Sequence, residues 1–109
     1  MPLPEWVMIV DLDLDPACEE EWNRWYDEIH LPEILDCPGF VRGTRFIAPE
    51  DDSTGRRRHI TIYELEGPQA FHSEEFAERR GLGEFSDRAT ARTRLYRRHL
   101  SVGGQADDD

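Results

Sequence analysis

Trp22-Asn23-Arg24-Trp25-Tyr26-Asp27-Glu28-Ile29-His30-Leu31-Pro32-Glu33, closed by Cys37-Pro38-Gly39-Phe40, is the stretch whose reading decides the fold. At 100° per residue, Cys18, Trp22, Trp25 and Ile29 make one apolar stripe of an amphipathic helix. Tyr26 sits at the edge of the stripe, with His30 one turn further on. Pro32 disturbs or ends this helix, because it has no N–H and its ring crowds the preceding turn. A short further turn through Leu35 precedes Pro38-Gly39. Large aromatics bury much area, and a Tyr hydroxyl or His ring among them needs a polar partner or a ligand. The segment therefore reads as a helix that walls a small-molecule cavity.

The flanks supply the other elements. Trp6 to Leu14 alternates, with Trp6, Met8, Val10, Leu12 and Leu14 on one side and Val7, Ile9, Asp11 and Asp13 on the other, which is a strand. Asp15-Pro16 starts the helix, Asp as cap and Pro in the first turn, and Glu19 to Glu21 suit its positive end. Phe40 to Ala48 alternates again, and Pro49 to Gly55 is the loop of a long hairpin. Arg57 to Leu65 returns, with Ile60 and Ile62 on one face and His59, Thr61 and Tyr63 on the other. Gly67-Pro68 opens a second helical region with Phe71 and Phe76 inward and Gly81 as its stop. Leu82 to Ala91 reads as one more short helix with Phe85 inward, and Arg92 to Leu100 as the last strand. The order is β-α-β-β-α-β, an α+β, ferredoxin-like pattern. It predicts a four-stranded antiparallel sheet with helices on one face. The other face keeps apolar residues and needs a cover, most economically a second copy of the sheet across a two-fold axis.

Composition bounds the function. With 109 residues, one domain over 1–100 is expected, followed by a disordered acidic tail over 101–109. A hydrophobic fraction of 38% is modest for a self-sufficient core, which also favours a homodimer. The net charge of −11 argues against nucleic acid and against an anionic membrane surface. No apolar run approaches a membrane span. Two cysteines without a disulfide framework, and no signal peptide, suggest a reduced, cytoplasmic protein. Glycine-rich nucleotide loops are absent. Asp11, Asp13 and Asp15 could suggest a hard cation, but no loop adds further oxygen ligands, and zinc or iron spacings are missing. Neither a metal nor a cofactor is expected.

The run Trp25-Tyr26-Asp27-Glu28-x-His30-Leu31-Pro32-Glu33-x-Leu35-x-x-Pro38-Gly39-Phe40, with Arg45-Phe46 and Ile62-Tyr63-Glu64-Leu65, resembles the dimeric α+β barrel superfamily, and within it EthD-like bacterial proteins. The resemblance spans about residues 5 to 100. It implies a ferredoxin-like protomer, a homodimer, and one cavity per protomer between helix and sheet. In several such enzymes a His and a Tyr facing the cavity carry out proton transfers. The matching positions here are Tyr26 and His30. The superfamily hosts isomerases, cyclases, cofactor-free monooxygenases, haem enzymes and proteins without known activity, so the fold does not name the reaction.

On this reading His30 is the general acid/base, since a histidine exchanges protons near neutral pH. Tyr26 orients the substrate or stabilises an enolate. Trp22, Trp25, Tyr63, His59 and Arg45 are the candidate substrate-binding residues. Each has a plainer alternative. Trp22 and Trp25 at helical spacing are core. Arg45 pairs with a strand carboxylate such as Asp11, Asp13 or Glu64. His59 is an exposed, inert strand-end residue, as the adjacent Arg56-Arg57-Arg58 favours. His72 and His99 belong to the surface. Cys37 is buried rather than nucleophilic. The expected activity is cofactor-independent isomerisation, cyclisation or elimination of a hydrophobic, oxygenated or aromatic carbonyl compound. The alternatives are cofactor-free oxygenation of a phenol, and non-catalytic ligand binding.

Overall fold

In a computed structural model, which describes residues 3–104, four antiparallel strands form one sheet: β1 (Trp6–Leu14), β2 (Phe40–Ile47), β3 (Arg57–Leu65) and β4 (Ala89–Arg97). The spatial order is β2-β3-β1-β4. β1 lies in the centre, with Met8 opposite both Tyr63 and Leu95. Its register puts Met8, Val10, Leu12 and Leu14 on the covered face, all buried, as the alternation predicts. His59, Thr61 and Tyr63 of β3 share that face and are buried too. The helices cover this face, so the core is a single layer between them and the sheet.

The chain crosses the covered face between β1 and β2 in four pieces. A 3-10 turn (Pro16–Cys18), capped by the Asp15 carboxylate accepting from Ala17 N–H at 3.0 Å, leads into α1 (Glu19–Trp25). A π-turn, Tyr26–His30, follows, in which Leu31 N–H reaches back five residues to the Tyr26 carbonyl. α2 (Leu31–Leu35) then runs on with Pro32 in its first turn. The wide turn has a physical cause. In a regular α-helix Pro32 would leave the Glu28 carbonyl without a donor and press its ring against it. One extra residue in the turn ahead of it relieves that conflict.

The extra residue rotates everything downstream. The buried series is Cys18, Trp22, Tyr26, His30 and Ile34, a spacing of four. Ile29, which a uniform helix places in the stripe, is 52% exposed, and Trp25 is half-buried. His30 thereby moves from beyond the edge of the apolar face to its centre, in line with Tyr26, where the wide turn begins. Gly43 on β2 lets α2 come close: a Cβ there would stand 2.7 Å from Leu31 Cδ1 and 3.1 Å from the Tyr63 ring.

After β3 come a 3-10 turn (Pro68–His72) and α3 (Glu74–Arg79), whose cap Ser73 accepts from Phe76 N–H. Phe76 is buried. The helix expected over Leu82–Ala91 does not form. Gly81 (φ +123°) and Gly83 (φ +56°) adopt left-handed backbone, only a 3-10 turn (Gly83–Phe85) remains, and the last strand starts early, at Ala89. Phe85 is nonetheless fully buried, against Trp22 at 5.3 Å between ring centroids. The expected acidic tail lies mostly outside the described residues. No helix among them is long and apolar enough to cross a membrane.

Among the described residues no helix covers the opposite sheet face. Phe46 is 53% and Tyr96 47% exposed there, beside the half-buried Val7, Ile9, Ile60 and Ile62.

Candidate functional site

A cavity of about 190 Å3 lies between the helical layer and the sheet. Its floor is Met8 and Val10 of β1, Tyr63 of β3 and Thr93 of β4, and its roof is Tyr26 and His30 of the π-turn with Ile34 of α2. Arg80, Gly81 and Leu82, just after α3, complete the ring. Arg80 and Gly81 are exposed, whereas Met8 and Tyr63 are buried, so the cavity opens past the end of α3. The lining is mainly apolar with a few convergent polar groups, which suits a small organic molecule.

The polar groups are specific. The hydroxyls of Tyr26 and Tyr63 stand 2.8 Å apart. Their two protons cannot both lie between the two oxygens. One bridges the pair, and the other is left for the Thr61 side chain, which hydrogen-bonds Tyr26, or for a ligand oxygen. Burial pushes both phenols above the ordinary tyrosine range, so they act as neutral hydrogen-bond donors. Hydrogen bonds from Thr61 and Tyr63, and then the Arg45 guanidinium 4.8 Å from the Tyr26 ring centroid, oppose that shift on Tyr26.

His30 is buried at the roof, 6% exposed. Trp25 stacks on its ring at 4.6 Å and 13°, and Tyr26 meets it edge-on at 5.0 Å. These contacts fix the plane of the imidazole, and among the described residues no hydrogen bond commits its nitrogens. The nearest acid is Glu33, with Nδ1 3.9 Å from the carboxylate oxygen, too far for a hydrogen bond. Burial lowers the His30 pKa below the ordinary 6.5, with Glu33 opposing. At neutral pH the ring is therefore an uncharged base beside an apolar cavity.

The remaining expected site residues lie elsewhere. Trp22 is core, fully buried, with its indole nitrogen unpartnered among the described residues. Trp25 stands behind His30 rather than on the cavity wall, held close to Gly83, where a Cβ would stand 3.1 Å from its ring. His59 is not an exposed strand-end residue: it is 1% exposed, and both ring nitrogens are engaged. Arg45 Nη2 reaches Nδ1 at 2.8 Å and Glu19 Oε2 reaches Nε2 at 2.8 Å. Arginine can only donate, so Nδ1 accepts and Nε2–H donates to Glu19. Arg45 also bonds Asp27 at 2.6 Å and Asn23 at 3.0 Å, not a strand carboxylate. This network ties α1 to β2 and β3. The cavity is lined by neither His59 nor Arg45.

The three early aspartates are also engaged. Asp11 pairs with Arg58 at 3.3 Å, Asp13 with Arg56 at 2.8 Å, and Asp15 caps the first turn. Among the described residues no group of three or more His, Cys, Asp or Glu side chains is placed to hold a metal ion. His72 and His99 are exposed, and both Cys18 and Cys37 are free and buried. Arg80, Leu82 and Thr93 carry no sequence motif that marks them as site residues. The only local sign was the Gly81-x-Gly83 pair that bends the chain toward the opening.

Known structures share this architecture. HapK from Hahella chejuensis superposes with a TM-score of 0.65 at 18% identity, covering 94% of this chain and 99% of its own. SnoaB, a cofactor-independent oxygenase from Streptomyces nogalater, gives 0.57 at 16%, covering 92% and 99%. An EthD family protein from Bacillus halodurans gives 0.56 at 14%, covering 86% and 99%. The neighbours also include a protein described as dimeric and ferredoxin-like. The fold is thus the ferredoxin-like α+β fold of these proteins. At such identities the likeness concerns the fold alone. No protein-family model and no curated protein matches the chain.

Proposed function

We propose that this protein is a small-molecule enzyme that works by cofactor-independent proton transfer on a hydrophobic, oxygenated carbonyl compound. The reading rests on one juxtaposition: an uncommitted, neutral His30 and the Tyr26–Tyr63 hydroxyl pair on the same apolar cavity. His30 takes a proton from a carbon next to the carbonyl. The electron pair moves onto the carbonyl oxygen, and the free tyrosine O–H donates a hydrogen bond to the resulting enolate. Return of the proton to another carbon isomerises the substrate. Attack by the enolate carbon or loss of a leaving group gives cyclisation or elimination. The test is hydrogen–deuterium exchange at the α-carbons of a panel of enolisable ring ketones, followed by NMR in D2O. Wild type should accelerate exchange of at least one compound, and His30→Gln should not. Equal exchange by both proteins would remove the role of His30.

A second reading, cofactor-free oxygenation, is favoured by the fold likeness to SnoaB. It shares the first step, since a phenol or enol must lose its proton before oxygen can react with it. Oxygen uptake during turnover separates the two. In either case we expect a homodimer in the reducing cytoplasm. The expectation rests on the bare sheet face around Phe46 and Tyr96 and on two free thiols. Light scattering that reports a monomer at micromolar concentration would contradict the dimer.

A further inference from the structure

The cavity opening carries a cation, and we infer, resting on the deprotonation chemistry proposed above, that Arg80 selects a substrate with an anionic group, a single-ring carboxylate. The guanidinium carbon of Arg80 lies 5.0 Å from the centroid of the Phe76 ring, itself part of the cavity lining, and 5.6 Å from that of Phe71. Among the described residues no carboxylate pairs with it. Its neighbour Arg79 is turned away, 3.2 Å from the Glu33 carbonyl and 4.0 Å from the Asp36 carboxylate. The left-handed Gly81 lets the chain turn at once after Arg80, and both residues belong to the rim.

Charge makes this cation unusual. The chain carries a net charge of −11, yet among the described residues none that lines the cavity is acidic. An anion arriving there meets Arg80 rather than the surrounding carboxylates. Aromatic faces on one side hold the guanidinium and leave its N–H edge free for a carboxylate. The volume sets the size. A dry cavity of about 150 Å3 accepts benzene, so about 190 Å3 accommodates one substituted ring rather than a fused system. With the carboxylate at Arg80, the ring extends inward toward His30 and the tyrosine pair.

The test is equilibrium binding of benzoate and of its neutral counterpart benzamide to the full-length protein, read through tryptophan fluorescence, since Trp25 stacks on His30 at the cavity roof. Wild type should bind benzoate about tenfold more tightly, the scale of one hydrogen-bonded charge contact. Arg80→Gln should bind the two equally, through loss of most of the benzoate affinity, and Arg80→Lys should recover part of the preference. Arg80 is exposed, so loss of its contacts with Phe71 and Phe76 should cost Arg80→Gln only about 1 kcal/mol of stability. Equal affinities in wild type, or a benzoate preference that survives Arg80→Gln, would overturn the anion site while leaving the cavity reading intact. Failure of both rings to bind at millimolar concentration would overturn both. Loss of preference in Arg80→Gln, with carbon exchange unaffected by His30→Gln, would keep the anion site and remove the deprotonation chemistry.

Discussion

Two buried histidines under the same helical layer have opposite fates. His59 has a partner on each ring nitrogen, Arg45 and Glu19, and no access to the cavity. Among the described residues His30 has stacking partners but no hydrogen-bonded ones, and it lines the open cavity. Burial depresses the pKa of both. The perturbed pKa therefore does not tell them apart; hydrogen-bond satisfaction does. A buried polar ring with every valence used is a strut, and one with valences left over is placed to meet something else.

The largest expected effect is on turnover at His30. His30→Gln should lower kcat/KM by about 10²–10⁴, the usual contribution of a positioned acid or base. Its unfolding free energy should fall by about 1–2 kcal/mol, from the lost stacking on Trp25 and Tyr26 rather than from any lost hydrogen bond. His59→Leu should do the reverse. It strands Glu19 and removes one partner of Arg45 under cover, which costs about 2–4 kcal/mol of stability. Turnover per folded molecule should stay close to wild type. Denaturant melts and steady-state kinetics on both variants check the pair, and a His59 variant that is stable but inactive would erase the distinction.

Next in size is the pH dependence of stability. Each histidine binds its proton less well in the folded state than in the unfolded one. The unfolded chain takes up protons first, so stability is full above the ordinary histidine value of 6.5. It declines as pH falls from there toward the folded-state value, by up to about 1.4 kcal/mol per pH unit for each group. The acid limb of activity should likewise lie below 6.5. Melting curves between pH 7 and pH 5 should show a shallower slope in His59→Leu than in wild type. An unchanged slope would mean that His59 does not bear the penalty.

Tyr63→Phe probes the cavity side. It removes the 2.8 Å hydroxyl contact to Tyr26 at a cost of about 1 kcal/mol. Turnover should fall by more than that stability loss explains, because the remaining phenol loses the neighbour that orients it. The thermal melt and kcat, measured together, separate the two effects.

Much of the architecture was readable in the sequence because strand alternation is local. The faces of β1 and β3 follow from Met8, Val10 and Leu12 and from His59, Thr61 and Tyr63 with no knowledge of their partners. Readings that assumed uniform geometry or local context did worse. Leu82, Phe85 and Ala89 have helical spacing, but Gly81 and Gly83 adopt left-handed backbone and break it. The arginines at 56–58 made His59 look solvated, whereas its partners Glu19 and Arg45 arrive from other elements. Arg80 just after α3 and Thr93 on β4 join Tyr26 and His30 only through the fold, so no spacing rule brings them together.

The smallest expected effect tests the π-turn that puts His30 on its side of the comparison. On a uniform helix Ile29 belongs to the apolar stripe, and Ile29→Gln would bury an amide at a cost of several kcal/mol. With the extra residue contributed by the turn at Tyr26–His30, Ile29 faces outward, 52% exposed. Ile29→Gln should then shift the unfolding free energy by only about 0.5 kcal/mol or less. Ile34→Ala, one turn on in the buried series, should cost about 2–5 kcal/mol. If the two substitutions proved equally costly, the helix would be regular through Pro32. His30 would then lie off the centre of the buried face, and its free nitrogens would no longer be held against the cavity.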